Sequence, residues 1–110
     1  MRGGGRARKL GNAAEAFVAD LLRQEYPECW AVLPLQQDVP ADLVALFLGG
    51  DWCLYEVKSS KTRARALSAR LSPAEQAAFD LLHPYHYVVF RVWRHPGEPR
   101  DTFEVLSRGA

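Results

Sequence analysis

The sequence predicts a single domain of mixed α/β (α+β) class, a mixed sheet flanked by helices in the order α-β-β-β-α-β-β. Three observations lead there. Residues 11–26 and 73–82 carry helical periodicity or helical punctuation. Five segments rich in branched and aromatic residues lie between turn signals. Finally, 110 residues with no internal repeat and no linker are enough to bury one core and too few for two.

Taken in order, Leu10, Ala14, Phe17, Val18, Leu21 and Leu22 recur at helical spacing, so 11–26 reads as an amphipathic helix stopped by Pro27. Ahead of it, 1–10 is expected as a basic flexible tail, leaving 11–110 as the folded domain. Trp30 to Leu35 is apolar and β-prone, a first strand, and Gln36-Gln37-Asp38 leads on to Pro40. Asp42 to Leu48 is apolar on both faces, as a central strand must be. Gly49-Gly50-Asp51 signals a hairpin, and Trp52 to Lys58 makes the third strand. From Ser59 to Arg70 there is no apolar period, and a mobile basic loop is expected. Ser72-Pro73-Ala74-Glu75 starts a helix: Ser72 caps it, Pro73 suits its first position, and Glu75 can close a capping box. The helix runs to about Leu82 and ends before Pro84. Tyr87 to Trp93 is a fourth strand, His95-Pro-Gly-Glu-Pro99 a turn, and Thr102 to Leu106 a short edge strand.

Composition is that of an ordinary globular protein, 48% hydrophobic and 25% charged. The longest apolar run, Leu43 to Leu48, is far short of the roughly 20 residues that span a bilayer, so no membrane partner is expected. The basic N-terminus is followed by an amphipathic pattern and not by a signal-peptide core. Cys29 and Cys53 stand alone without a CxxC pair, and a cytoplasmic protein is expected. The net charge of +1 conceals a segregation. Arg2, Arg6, Arg8 and Lys9 come first with no acid among them. Residues 11–56 then hold eight acids against Arg23 alone, and Lys58, Lys61, Arg63, Arg65 and Arg70 follow, again without an acid. Basic segments around an acidic middle suggest a polyanion held beside a cation-binding centre; a solvated basic loop and tail is the plainer alternative.

Side chains alternate along a strand, so Glu56 and Lys58 share a face. A three-residue loop at Gly49–Asp51 would put residue 42 opposite 58 and residue 44 opposite 56. Asp42 would then lie across from Lys58 and diagonal to Glu56. A two-residue loop without a bulge would turn Asp42 to the wrong face. Two carboxylates, with an ammonium beside them, suit Mg²⁺, which takes hard oxygen ligands, waters and phosphate oxygens. The lysine can stabilise charge on a phosphate. Glu-x-Lys alone is common by chance. An apolar strand bearing an acid, a Gly-Gly turn and a second strand bearing Glu-x-Lys form a much rarer arrangement.

On these residues the chain resembles the PD-(D/E)XK nuclease superfamily, and within it the archaeal-type Holliday junction resolvases and their small relatives. The resemblance covers about residues 8–93: Gly11-Asn-Ala-Ala-Glu15, Pro40-Ala-Asp42, Glu56-Val-Lys58-Ser-Ser, and Leu71-Ser-Pro-Ala-Glu-Gln76. It implies a restriction-endonuclease-like fold, Asp42 and Glu56 as metal ligands, and Lys58 as the catalytic lysine. It also implies Glu15 as a helix-borne acid that joins the metal set, and Gln76 as the glutamine that accompanies such sites. The implied reaction is Mg²⁺- or Mn²⁺-dependent hydrolysis of DNA phosphodiesters, leaving a 5′-phosphate. The loop Pro34-Leu-Gln-Gln-Asp-Val39 lacks the Ser/Gly/Arg-rich segment of the junction resolvases, so the resemblance speaks for a nuclease before it speaks for junctions.

Arg6, Arg8, Lys9, Ser59, Ser60, Lys61, Arg63, Arg65 and Arg70 are the expected DNA contacts. A homodimer is expected from the resemblance and from size, with Trp30, Trp52, Trp93, Tyr85 and Tyr87 offering aromatic surface beyond one small core. Two rivals remain. One is a DNA-binding module that keeps the fold without catalysis; the other is an interaction domain in which Glu-x-Lys has no chemical role.

Overall fold

The computed structural model describes residues 4–95 and 102–110, with side chains from residue 12 onward. Helix α1 (Gly4–Glu25) precedes β1 (Cys29–Pro34), β2 (Leu43–Phe47) and β3 (Trp52–Ser60). Two helices follow, α2 (Arg63–Ser68) and α3 (Pro73–Leu82), and then β4 (Tyr87–His95) and β5 (Thr102–Gly109). The strands form one sheet in the order β1-β2-β3-β4-β5. All neighbours are antiparallel except β3 and β4, which run parallel and are joined through α2 and α3. The architecture is therefore the mixed α+β class the sequence predicts, with one added helix and a final strand that runs to Gly109.

Alternation along the strands divides the core in two. Cys53, Tyr55 and Val57 of β3 and Phe90 and Val92 of β4 pack with Ala14, Val18 and Leu22 of α1. The opposite face buries Tyr87 and Val89 with Ala41, against Phe79 and Leu82 of α3. Burying a large apolar side chain contributes about 1.5–3 kcal/mol, so the α1 stripe read in the sequence holds this layer together. The end of α1 is tied down further where Arg108 on β5 grips both carboxylate oxygens of Glu25.

Three expectations are corrected. Helix α1 begins at Gly4 and not at residue 11, so most of the expected tail is helical. Arg6 to Leu10 are good helix formers with no proline among them, and an internal Gly11 costs only about 1 kcal/mol. The expected mobile loop 59–70 is instead the end of β3 followed by α2. Thr62 caps α2 by accepting the Arg65 N–H, and Arg91 on β4 donates to the Ala66 and Ala69 carbonyls near its end. Those partners are distant in sequence, which is why periodicity alone did not show the helix. The hairpin register is the third correction. Val44 pairs with Leu54 and Leu46 with Trp52, while the Phe47 N–H donates to the Asp51 carbonyl. The loop is thus Leu48-Gly49-Gly50, with Gly49 and Gly50 at φ 94° and 90°. Relative to the expected pairing the strands slip by an even number of residues, which preserves each side chain's face. The turn expected just after His95 lies outside the described residues.

Candidate active site

A cleft of about 630 Å³ opens beside the sheet, lined by Asn12 and Glu15 of α1, the segment around Gln36, Gln37 and Val39, and Asp42, Glu56 and Glu75. Asp42 reaches it through a local irregularity. Leu43 pairs with Tyr55, yet the Asp42 N–H also donates to the Tyr55 carbonyl at 2.9 Å. Two consecutive residues thus address one, as in a β-bulge, a device that re-aims side chains. The Val57 N–H, which a continuing ladder would have paired with a β2 carbonyl, instead donates to Asp42 Oδ2 at 2.7 Å. Tyr87 fixes the approach. It is fully buried, and its hydroxyl donates to the Pro40 carbonyl at 2.6 Å. That removes Tyr87 from the aromatic surface expected of it.

Glu56 and Lys58 project from the same side of β3. Glu56 is only 4% exposed, and Lys58 Nζ lies 3.1 Å from its Oε2 and 2.9 Å from Glu75 Oε1. Glu75 accepts a second hydrogen bond, from the Ser72 N–H at 2.8 Å, while Ser72 Oγ accepts from the Glu75 N–H. The capping box read in the sequence is formed, and its glutamate also serves the site.

Proximity shows in the electrostatics. Burial, then the charge of Asp42, pushes Glu56 up to about 8. Burial and the same neighbour push Glu15 to about 7. Asp42 is raised too, because burial outweighs the hydrogen bond from Val57. For Glu75, burial is outweighed by the Ser72 N–H and by Lys58, so its carboxyl lies below the usual range. Burial disfavours the Lys58 charge, but the Glu75 and Glu56 carboxylates more than compensate and hold it above an ordinary lysine. The cluster carries more carboxylates than ammonium groups, on side chains largely withdrawn from solvent.

Asp42, Glu56, Lys58 and Glu15 are therefore brought to one place. Gln76 is not: it is exposed, its amide donates to Asp80 at 2.8 Å, and it lines a different cleft. The residue before it, Glu75, occupies the site, because successive helical residues point roughly 100° apart. The signal was the capping box itself, which turns the third helical residue back towards the cap and here towards β3. Among the described residues no three His, Cys, Asp or Glu side chains converge as a closed metal cage, so Glu15 shares the cleft without completing a three-ligand set with Asp42 and Glu56. Mg²⁺ commonly takes one or two carboxylates and fills its remaining positions with water and phosphate oxygens. Asp42 and Glu56, each raised in part by crowding or burial, are hard-oxygen donors whose mutual repulsion such an ion would relieve, and in that respect they fit it.

Along the chain, the basic segment follows Lys58 directly. Lys61, Arg63, Arg65 and Arg70 are exposed, and none is ion-paired among the described residues. Trp93 Nε1 donates to the Lys61 carbonyl at 2.9 Å, and the Arg63 guanidinium lies 5.8 Å from the Trp93 ring centre. Ser60 Oγ accepts from the Thr62 N–H, and Ser59 is half-buried on β3. The side chains of Arg6, Arg8 and Lys9 lie outside the described residues. Of the other aromatics, Trp30 is 63% and Tyr85 83% exposed. No helix among the described residues is long and apolar enough to cross a membrane. No known family model, curated protein or solved structure matches the chain.

Proposed function

We propose that the chain is a metal-dependent DNA endonuclease of the PD-(D/E)XK type. The observation that carries this reading is the gathering of Asp42, Glu56 and Lys58 at one cleft, immediately before an exposed basic arm on the same chain segment. Asp42 and Glu56 would hold Mg²⁺ or Mn²⁺. When bound, the ion supplies Lewis acidity towards the scissile phosphate. Lys58, kept charged by two carboxylates, donates hydrogen bonds where negative charge builds during phosphodiester hydrolysis. Glu15 lines the same cleft, and with its carboxyl pushed up to about 7 by burial and by Asp42 it can accept a proton in the neutral range. Lys61, Arg63, Arg65 and Arg70 bind backbone phosphates and position the strand without reading its sequence.

The resemblance extends the reading to a cytoplasmic homodimer that acts on branched DNA. Two copies would offer two sites to the two strands cut in a four-way junction, and the exposed Trp30 and Tyr85 supply apolar surface of the sort interfaces use.

The decisive experiment presents four-way junction, linear duplex and single-stranded DNA to the protein with Mg²⁺, with Mn²⁺ and with EDTA. Cutting is expected with either ion and none with EDTA, and Glu56→Ala is expected to abolish cutting while retaining most DNA binding. Undiminished cutting by Glu56→Ala defeats the mechanism. Equal rates on linear duplex and junction defeat the junction specificity and leave the nuclease.

A further inference from the structure

The ammonium of Lys58 is held by two carboxylates of different character. Glu56 belongs to β3, is buried, and stands beside Asp42 in the pair that would face a cation. Glu75 belongs to α3, comes close enough to Glu56 for the two side chains to interact, and meets the same ammonium. Its Oε1 accepts from Lys58 Nζ at 2.9 Å and from the Ser72 N–H at 2.8 Å, so the carboxylate is fastened to the backbone of its own helix start. Helix and strand are thereby joined through one oxygen atom. Fully ionised, Asp42, Glu56 and Glu75 with Lys58 carry a surplus of two negative charges, which one divalent cation would balance.

A cation on Glu56 changes the forces on Lys58. The Glu56 charge is then shared with the ion, the ion itself repels the ammonium, and a flexible lysine has many alternative rotamers in which to escape. We propose that Glu75 is a positioning residue that keeps Lys58 in the cleft when Glu56 is engaged. The proposal rests on the nuclease reading for its purpose and on the double contact of Lys58 Nζ with Glu56 and Glu75 for its geometry. In it the capping box of α3 has a second role: the backbone N–H at position 72, which an alanine there would leave in place, fixes Glu75, Glu75 fixes Lys58, and Lys58 faces the phosphate.

The chain has three lysines, Lys9, Lys58 and Lys61, so acylation of each by an amine-reactive reagent can be followed by mass spectrometry with exposed Lys61 as the internal reference. Glu56→Gln removes the charge of the competing carboxylate with no metal needed. In that variant Lys58 is expected to stay protected, and in Glu56→Gln/Glu75→Gln it is expected to react several-fold faster. If Lys58 reacts as fast in Glu56→Gln alone as in the double variant, Glu75 does not hold it. If it stays protected in both, Glu75 is not needed. Either result overturns the proposal.

On the DNA that wild type cuts, Glu75→Gln is expected to lower kcat about tenfold with KM little changed, the sign of a misplaced group rather than lost binding. Ser72→Ala, which removes the hydroxyl half of the cap and leaves both hydrogen bonds accepted by the Glu75 carboxylate, is the control for helix stability. It is expected to lower Tm and keep kcat near wild type. Equal kcat in wild type and Glu75→Gln overturns the proposal, as does an equal kcat loss in Ser72→Ala. Should wild type cut no DNA under any metal while the labelling pattern holds, the nuclease reading falls and the positioning of Lys58 by Glu75 stands.

Discussion

On one face of β3, Cys53, Tyr55 and Val57 pack against the α1 layer; on the other, Glu56 borders the cleft and Lys58 pairs with it. Tyr55 is 5% exposed and Glu56 4%, so the two neighbours are buried to the same depth. For Tyr55 that depth is favourable, since its ring gains contacts with Phe90 and leaves water. For Glu56 it is costly, because a carboxylate loses hydration that one ammonium and a nearby acid cannot replace. Equal burial therefore means opposite things on the two faces. One face is where the domain gains stability, and the other is where it gives some up to hold charge ready.

The strongest way to test that contrast is Tyr55→Ala, expected to destabilise the protein by about 3–5 kcal/mol in urea unfolding through lost burial and a residual cavity. A loss below ~1 kcal/mol would mean this face is not the core it is taken to be.

Glu56→Gln comes second in size and opposite in sign. Above pH 8 it is expected to stabilise the metal-free protein by about 1–2 kcal/mol, because a neutral amide replaces a buried charge. At pH 5 the native glutamate already holds its proton, and the variant should match wild type. A variant that is less stable than wild type at both pH values would show that Glu56 is a net structural asset.

The smallest effect is the pH dependence of wild type in EDTA. Glu56 and Glu15, raised to about 8 and about 7 by burial and by Asp42, bind protons more tightly in the native state than in the unfolded chain. The stability this contributes is complete below about pH 4.5 and is lost as pH rises through those values. The lowered Glu75 and Glu25 act oppositely, but only as pH falls below the ordinary carboxylate range. Between pH 5 and 9, therefore, Tm should fall, and Mg²⁺ should restore it at pH 8.5 but not at pH 5, because only ionised carboxylates bind the ion. A Tm that rises steadily over that interval would contradict the electrostatics of the cleft.

Much of this was legible beforehand, and the legible parts share a cause. The α1 stripe from Ala14 to Leu22, the capping box at Ser72 and Glu75, and the pairing of Glu56 with Lys58 on one face all depend on near neighbours and fixed periods. The register error was harmless within β2, since the actual loop at Leu48-Gly49-Gly50 preserves parity there, and the irregularity at Asp42 then brings its carboxylate to the site. The illegible parts depend on partners far along the chain. Helix α2 is held by Arg91, Lys61 by Trp93, and the approach to Asp42 by Tyr87. No local pattern announces any of the three.

Sequence alone determined the element types, the faces of the strands and the acids and lysine that belong together, because backbone geometry imposes the periods that sort them. Tertiary structure alone decided that Glu75, and not Gln76, stands beside Lys58, and that Asp42 pairs with the Val57 N–H. The reason is physical. A helix's rotation about its axis and a bulge in a strand are set by packing against the rest of the fold, and a change of one residue in either redirects a side chain completely.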